Sequence, residues 1–146
     1  MPRTAAALII GNELLTGKIQ EGNLGFLGRE LFELGIVLTR AVFCRDDIDV
    51  IVRDLDRLRA DHDMVFTSGG VGPTHDDVTL QAIAQAFGRK LVRAPEIEQL
   101  IREYHGSNVT ADHLRMADVP EGSRLLSGAD MPWPTVLTEN VYIFPG

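Results

Sequence analysis

The chain has 146 residues, 45% hydrophobic and 24% charged, which is the balance of one globular domain and excludes a disordered or collagen-like segment. Its 14 basic and 21 acidic residues give a formal net charge of -7, which disfavours non-specific binding to nucleic acid or to an anionic membrane. Cys44 is the only cysteine, so no intrachain disulfide can form, and no signal peptide or membrane span is evident. The sequence therefore predicts a cytoplasmic protein.

The first third of the chain reads as a strand, a helix and a second strand. The apolar run 5–10 stops at Gly11, as a strand buried on both faces does. Four leucines between 24 and 34 recur at helical spacing, and Gly35 ends that pattern as a C-cap. Residues 36–43 are rich in β-branched side chains and predict the second strand.

A second helix and a third strand follow. The acidic pair 46–47 opens a helix whose apolar positions between 48 and 58 share one face. The strand 64–67 then leads into a glycine-rich run, and either Asp76 or Asp77 is expected to cap the helix beyond it.

The last part of the chain is less regular. Its patterns predict short strands at 91–92, 124–126 and 141–144, and helices at 95–105 and 111–117. Glycines and prolines divide the rest of 121–138 into turns or a surface excursion. Alternating strands and helices with short connections predict an α/β domain over residues 1–146, with a mainly parallel sheet covered on both sides.

The strongest chemical signal is the run Ser68-Gly69-Gly70-Val71-Gly72-Pro73-Thr74, here called the glycine loop. It joins a strand to a helix, where backbone N–H groups and the helix N-terminus can hold a phosphate. Its glycines also fit a tight turn with no ligand, and the two interpretations have equal weight. The loop lacks the lysine of a P-loop and the spacing of a dinucleotide fingerprint.

Acidic residues accompany this loop. Asp76 and Asp77 would repel a phosphate unless a divalent cation such as Mg²⁺ lay between them. Glu13 and Asn23 follow the first strand and are expected to line one pocket with Asp77. Asp46 follows the second strand and is expected either in the same pocket or as a helix N-cap.

These residues resemble a known family. The stretch 10–19, Asn23, the pair 46–47 and above all 67–79 are similar to the molybdopterin-binding-like domain, closest to the N-terminal domain of CinA-type competence/damage-inducible proteins. A related domain occurs in some FAD synthases. The similarity runs from about residue 6 to 146.

The resemblance implies a three-layer α/β/α sandwich that self-associates as a trimer or dimer. It implies a catalytic and metal-binding role for Asp46 and Asp77, with Mg²⁺ or Co²⁺ as the metal and molybdopterin as a possible ligand. The implied ligand-binding residues lie on the loops described above and are Gly11, Glu13, Asn23, Ser68, Gly69, Gly70, Gly72, Pro73, Thr74, Asp76 and Thr79.

Three functions stay open. CinA-type relatives suggest a metal-dependent pyrophosphatase acting on nucleotides such as ADP-ribose. A second possibility is a module that binds a pterin or nucleotide without chemistry, and a third is molybdopterin adenylylation in molybdenum cofactor biosynthesis. Family members continue beyond the final Pro145-Gly146, so the resemblance also suggests a chain shortened at its C-terminus.

Overall fold

The computed structural model describes residues 1–146. Its strands are β1 Thr4–Ile10, β2 Val37–Cys44, β3 Met64–Ser68, β4 Leu91–Arg93, β5 Asp118–Pro120, β6 Arg124–Leu126, β7 Thr135–Thr138 and β8 Val141–Phe144. Its helices are α1 Asn12–Leu15, α2 Asn23–Glu33, α3 Ile48–Asp61, α4 Thr79–Ala86, α5 Pro95–His105 and α6 Ala111–Arg115. No helix combines the length and the apolar character that crossing a membrane requires.

Six strands form the main sheet in the order β2-β1-β3-β8-β7-β6. The first four are parallel neighbours, whereas β7 and β6 run antiparallel at one edge. The predicted α/β fold with a mainly parallel sheet is confirmed. Strands β4 and β5 pair separately as a small antiparallel sheet, and neither β5 nor β7 was predicted.

The centre of the sheet is fully apolar. Residues 5–10 of β1 are each at most 2% exposed, because strands flank β1 on both edges and helices cover both faces. Leu8 and Ile10 join the core with Ile51 and Leu55 of α3 and Ile83 of α4. A buried central strand of this kind holds its carboxyl end rigidly, and the loops that follow β1, β2 and β3 emerge at that edge.

The acidic pair 46–47 opens α3 as predicted, but the cap is Asp47 and not Asp46, and the predicted acidic cap of α4 is wrong. Asp47 caps α3, because its carboxylate accepts a hydrogen bond from the Val50 N–H at 3.1 Å. Helix α4 begins at Thr79, and Val78 at its N-cap position gives no side-chain bond. Asp77 does not cap it because its carboxylate turns back into the preceding loop, where it has nearer donors.

Candidate functional site

Two of the three loops at this edge are joined through Asn12 and Asp46. The Asn12 N–H donates to Asp46 Oδ2 at 3.0 Å, and the Asp46 N–H donates to Asn12 Oδ1 at 3.0 Å. Because Asp47 caps α3, the carboxylate of Asp46 is left to face the neighbouring loops. Two hydrogen bonds with Asn12, one at the Asp46 carboxylate and one at the Asp46 N–H, thus fix the position of Asp46.

The carboxylate of Asp46 is close enough to those of the neighbouring loops to interact with them electrostatically. Burial raises the pKa of Asp46, and the carboxylates of Glu13, Asp77 and Asp76 raise it further, against the opposing effect of the Asn12 N–H. A raised carboxyl pKa means that the ionised form is disfavoured, here first by burial and then by repulsion from the neighbouring carboxylates. A cation at this point would relieve that repulsion.

Asp77 is held by the loop that precedes it. Its Oδ2 accepts from the Thr74 N–H at 3.1 Å and from the Thr74 hydroxyl at 2.7 Å. The Asp77 N–H in turn donates to the Thr74 carbonyl oxygen at 3.1 Å. Its Oδ1 has no hydrogen-bond partner in the chain, so one carboxylate oxygen is left for a ligand.

Packing explains two of the glycines. Gly69 and Gly70 have φ values of 96° and 69°, which favour glycine. A Cβ atom at Gly69 would collide with the Ile10 carbonyl oxygen, and one at Gly70 would collide with Thr79 Oγ1. These two glycines therefore let the loop press against the end of β1 and the start of α4, as a tight turn requires.

The loop amides are not equivalent. The Gly69 N–H donates to the Phe144 carbonyl oxygen at 3.2 Å and is used by the fold. The N–H groups of Gly70 and Gly72 make no hydrogen bond within the chain. Of the three loop glycines expected to bind a ligand, Gly70 and Gly72 therefore keep an unpaired N–H, as does Val71 between them.

The acids and the loop open onto one pocket of about 340 Å³, here called the acid pocket. It is lined entirely by polar residues and glycine: Asn12, Glu13, Thr16, Lys18, Asp46, Gly70, Thr74, Asp76 and Asp77. Lys18 is its one basic lining residue, and the sequence analysis did not single it out. Its position directly after Gly17, in a loop at the carboxyl end of β1, was the available signal.

A second pocket, here called the apolar pocket, lies beside Ser68 and measures about 300 Å³. It is lined by Ile9, Asn23, Phe26, Leu27, Phe66, Thr67, Ser68, Phe144 and Pro145. Asn23 Nδ2 donates to Ser68 Oγ at 3.1 Å. The expectation that Asn23 shares a pocket with Glu13 and Asp77 is therefore corrected, because Asn23, the first residue of α2, binds Ser68 and lines the apolar pocket instead.

Three other residues that were expected to bind a ligand do not line the acid pocket. Gly11 is buried and donates its N–H to the Cys44 carbonyl oxygen at 3.0 Å. Thr79 is fully buried behind the loop, and its hydroxyl donates to the Gly69 carbonyl oxygen at 2.9 Å. Pro73 is exposed on the loop and does not line the acid pocket.

The acid pocket provides hard oxygen donors, the kind that Mg²⁺ prefers. No three His, Cys, Asp or Glu side chains stand close enough to form a complete metal cage. Mg²⁺ commonly takes one or two carboxylates and completes its shell with water and substrate phosphate. Asp46 and Asp77 fit that pattern.

Cys44 and the histidines stand apart from this chemistry. Cys44 is buried, and burial together with the carboxylates of Asp54 and Asp46 raises its pKa to about 12. His75 is 93% exposed on the loop. The rings of His105 and His113 stack face to face with their centroids 3.7 Å apart, so these two side chains are half-buried rather than free on the surface.

The fold and the site define an α/β domain with a glycine loop and an acid-lined pocket at the carboxyl ends of parallel strands. Residues 6–146 match the model of the family described as probable molybdopterin binding domain, and the chain belongs to this family. Within the family it is similar to CinA-like proteins. The resemblance inferred from the sequence is confirmed.

Individual relatives support this assignment. A CinA-like protein of Frankia casuarinae is 36% identical over 97% of this chain and 36% of its own length. A protein of Archaeoglobus fulgidus is 31% identical over 94% of this chain and 59% of its own length. The chain thus spans about a third to three fifths of these curated relatives.

Solved structures of other proteins have the same fold. A CinA protein of Thermoplasma acidophilum superposes with a TM-score of 0.88 at 29% identity, covering 99% of this chain and 89% of that one. The tungsten cofactor synthesizing protein MoaB of Pyrococcus furiosus gives a TM-score of 0.60 at 18% identity, covering 99% of this chain and 82% of its own. The second likeness concerns the fold alone.

Proposed function

We propose that the protein is a metal-dependent pyrophosphatase that binds a nucleotide such as ADP-ribose across the acid pocket. The observation that carries this proposal is the meeting of Asp46 and Asp77, from different loops, in one pocket with the unpaired Gly70 N–H. Carboxylates and a free amide side by side suit a phosphate that arrives with a divalent cation.

Each group has a distinct role in this scheme. The unpaired Oδ1 atoms of Asp46 and Asp77 would hold Mg²⁺ or Co²⁺, which polarises a phosphoryl oxygen and lowers the pKa of bound water. The Gly70 N–H in the acid pocket would donate to a phosphate oxygen, and Lys18 would offset the remaining negative charge. Gly72 does not line this pocket but lies against Asp77, and its unpaired N–H would donate to a second phosphate oxygen.

The reaction is a hydrolysis of the phosphoanhydride. Water attacks one phosphorus of ADP-ribose, the bond from that phosphorus to the bridging oxygen breaks, and the products are AMP and ribose 5-phosphate. The leaving phosphate takes the bridging oxygen, and the proton of water passes to solvent or to the phosphate product. No oxidant or second substrate is needed.

The apolar pocket would hold the planar ring of the ligand, either a purine or a pterin. Phe66 and Phe144 supply aromatic surface in the apolar pocket beside Ser68, and Gly70, two residues further along the loop, lines the acid pocket. Ser68 and Asn23 add polar groups at the rim. A nucleoside diphosphate such as ADP-ribose carries both a planar ring for the apolar pocket and phosphates for the acid pocket.

Incubation with ADP-ribose and Mg²⁺ or Co²⁺, followed by chromatography of AMP, tests the proposal. We expect AMP release that Asp77→Asn abolishes and that Asp61→Asn, at the far end of α3, leaves intact. Release of AMP at equal rates by wild type and Asp77→Asn would overturn it. Saturable ADP-ribose binding without any AMP would instead favour a binding module.

Molybdopterin adenylylation is the remaining alternative, and the MoaB likeness is compatible with it. Formation of adenylylated molybdopterin from ATP by this chain would establish it in place of hydrolysis. The Pro73-Thr74-His75-Asp76-Asp77 sequence favours the CinA-type assignment, on which the proposal is built.

We also propose a cytoplasmic homo-oligomer, a trimer or dimer, that binds a phosphorylated small molecule. Support for self-association comes from large apolar side chains at the end of α2 and in its C-terminal turn, since Phe32 and Leu34 are 83% and 72% exposed. Light scattering coupled to gel filtration measures the oligomeric state directly, and a monomer at micromolar concentration would contradict this part.

A further inference from the structure

Arg115, at the end of the short helix α6, contacts the glycine loop across the fold. Its Nη2 donates to the carbonyl oxygen of Pro73 at 3.2 Å and to that of Thr74 at 3.2 Å. About forty residues of chain separate the partners, so this contact joins the segment that carries α5 and α6 to the loop.

Thr74 is also the residue that holds Asp77. Its N–H and its hydroxyl both bind Asp77 Oδ2, and its carbonyl oxygen accepts from the Asp77 N–H as well as from Arg115. The guanidinium therefore contacts the backbone that fixes the orientation of the carboxylate. Thr74 is thus the single residue that links Arg115 to Asp77, the proposed metal ligand.

The turn has no other anchor of this kind. Residues 73–76 are exposed, and their remaining hydrogen bonds run among themselves or to Asp77. Arg115 is the one residue from elsewhere in the chain that donates to them. A charge-assisted bond to two adjacent carbonyl groups restrains a turn more than a neutral bond does.

We propose that Arg115 is a positioning residue for Asp77: it locks the Pro73–Asp77 turn so that Asp77 Oδ1 faces the acid pocket before any ligand arrives. The link from this turn to metal binding rests on the proposed function, whereas the locking of the turn does not. The test separates the two.

Amide hydrogen exchange of the metal-free protein measures the lock. In Arg115→Gln we expect the N–H groups of Thr74 and Asp77 to exchange about tenfold faster than in wild type. Arg115→Lys, which keeps the charge but not the planar fork, should restore part of the protection. Asp112→Asn removes the other partner of Arg115, at 3.5 Å, and should leave the exchange unchanged. Arg102→Gln, which removes an arginine of α5 that does not contact the turn, is the matched control and should also leave the exchange unchanged.

Titration with Co²⁺, followed by its visible absorbance, measures the consequence. Loss of a contact that orients a ligand residue lowers metal affinity by about 10- to 100-fold, and we expect a loss of this size in Arg115→Gln alone. Unchanged amide exchange in Arg115→Gln would overturn the proposal. Faster exchange with undiminished Co²⁺ affinity would overturn it too, because the turn would not govern Asp77. If wild type binds no Co²⁺, the proposed function fails and the exchange result alone decides the role of Arg115.

Discussion

Asn12 and Asp46 each donate a backbone N–H to the side chain of the other, at 3.0 Å in both directions. This reciprocal pair ties the loop after β1 to the loop after β2, two strands that are neighbours in the sheet. It holds Asp46 where burial, and then the carboxylates of the other loops, disfavour its ionised form. The acid pocket therefore lowers the stability of the folded protein, as functional sites often do.

Asn12→Ala tests the pair. Removal of the side chain leaves the Asp46 N–H without its acceptor, and a loss of about 1 kcal/mol in the free energy of unfolding is expected from urea denaturation. Asn12→Asp keeps an acceptor oxygen at the same place and should lose less at low pH. Equal stability of Asn12→Ala and wild type would show that the pair contributes nothing.

Asp46→Asn should make the metal-free protein more stable at pH 7. The raised pKa means that native Asp46 keeps its proton to a higher pH than in the unfolded chain, so ionisation above about pH 4 destabilises the native state. The amide removes that cost. Melting temperatures in EDTA should favour Asp46→Asn at pH 7, with the advantage shrinking as the pH falls towards 4. An advantage that is equal at both pH values contradicts this electrostatic origin.

Gly72→Ala should displace Asp77. A Cβ atom at this position would lie 2.6 Å from Asp77 Oδ2, so the carboxylate must move away from Thr74. Co²⁺ affinity is expected to fall by about tenfold or more. Gly25→Ala, where the new Cβ makes only an ordinary contact with Arg29 at 3.6 Å, is the matched control. Unaltered affinity in Gly72→Ala would remove Asp77 from the set of metal ligands.

Thr79→Val tests the support behind the glycine loop. The valine fills the same space but leaves the buried Gly69 carbonyl oxygen without the hydroxyl that binds it at 2.9 Å. We expect a loss of about 1–3 kcal/mol in urea unfolding. Thr67→Val is the control, since Thr67 Oγ1 is buried with no partner and its removal should be neutral or stabilising. The same loss in both variants would mean that the Thr79 bond has no particular role.

Features that depend on local pattern and strand order could be predicted from the sequence. The apolar run of β1, the leucine spacing of α2 and the glycine loop at the end of β3 each gave the correct element. Parallel strands then placed Glu13, Asp46 and Asp77 at one edge, because loops after such strands emerge together. The meeting of these acids in one pocket could therefore be predicted.

Features that depend on side-chain direction could not be predicted. Asp77 had the spacing of a helix cap, yet two donors on Thr74 compete for its carboxylate within the loop. Asn23 was assigned to the pocket of the acids, but the direction of α2 carries it to Ser68. Arg115 has no local signal, because its partners lie about forty residues away in sequence.

The most direct test of the central claim is the position of a bound cation. Crystals soaked with Mn²⁺ and ADP-ribose, measured at a wavelength where Mn²⁺ scatters anomalously, reveal the ion and the phosphates together. The proposal predicts an anomalous peak coordinated by Asp46 and Asp77 in the acid pocket. Phosphate oxygens should accept from the Gly70 N–H there and from the unpaired Gly72 N–H further along the same loop. A nucleotide bound elsewhere, or bound here with no cation between the two carboxylates, would contradict it.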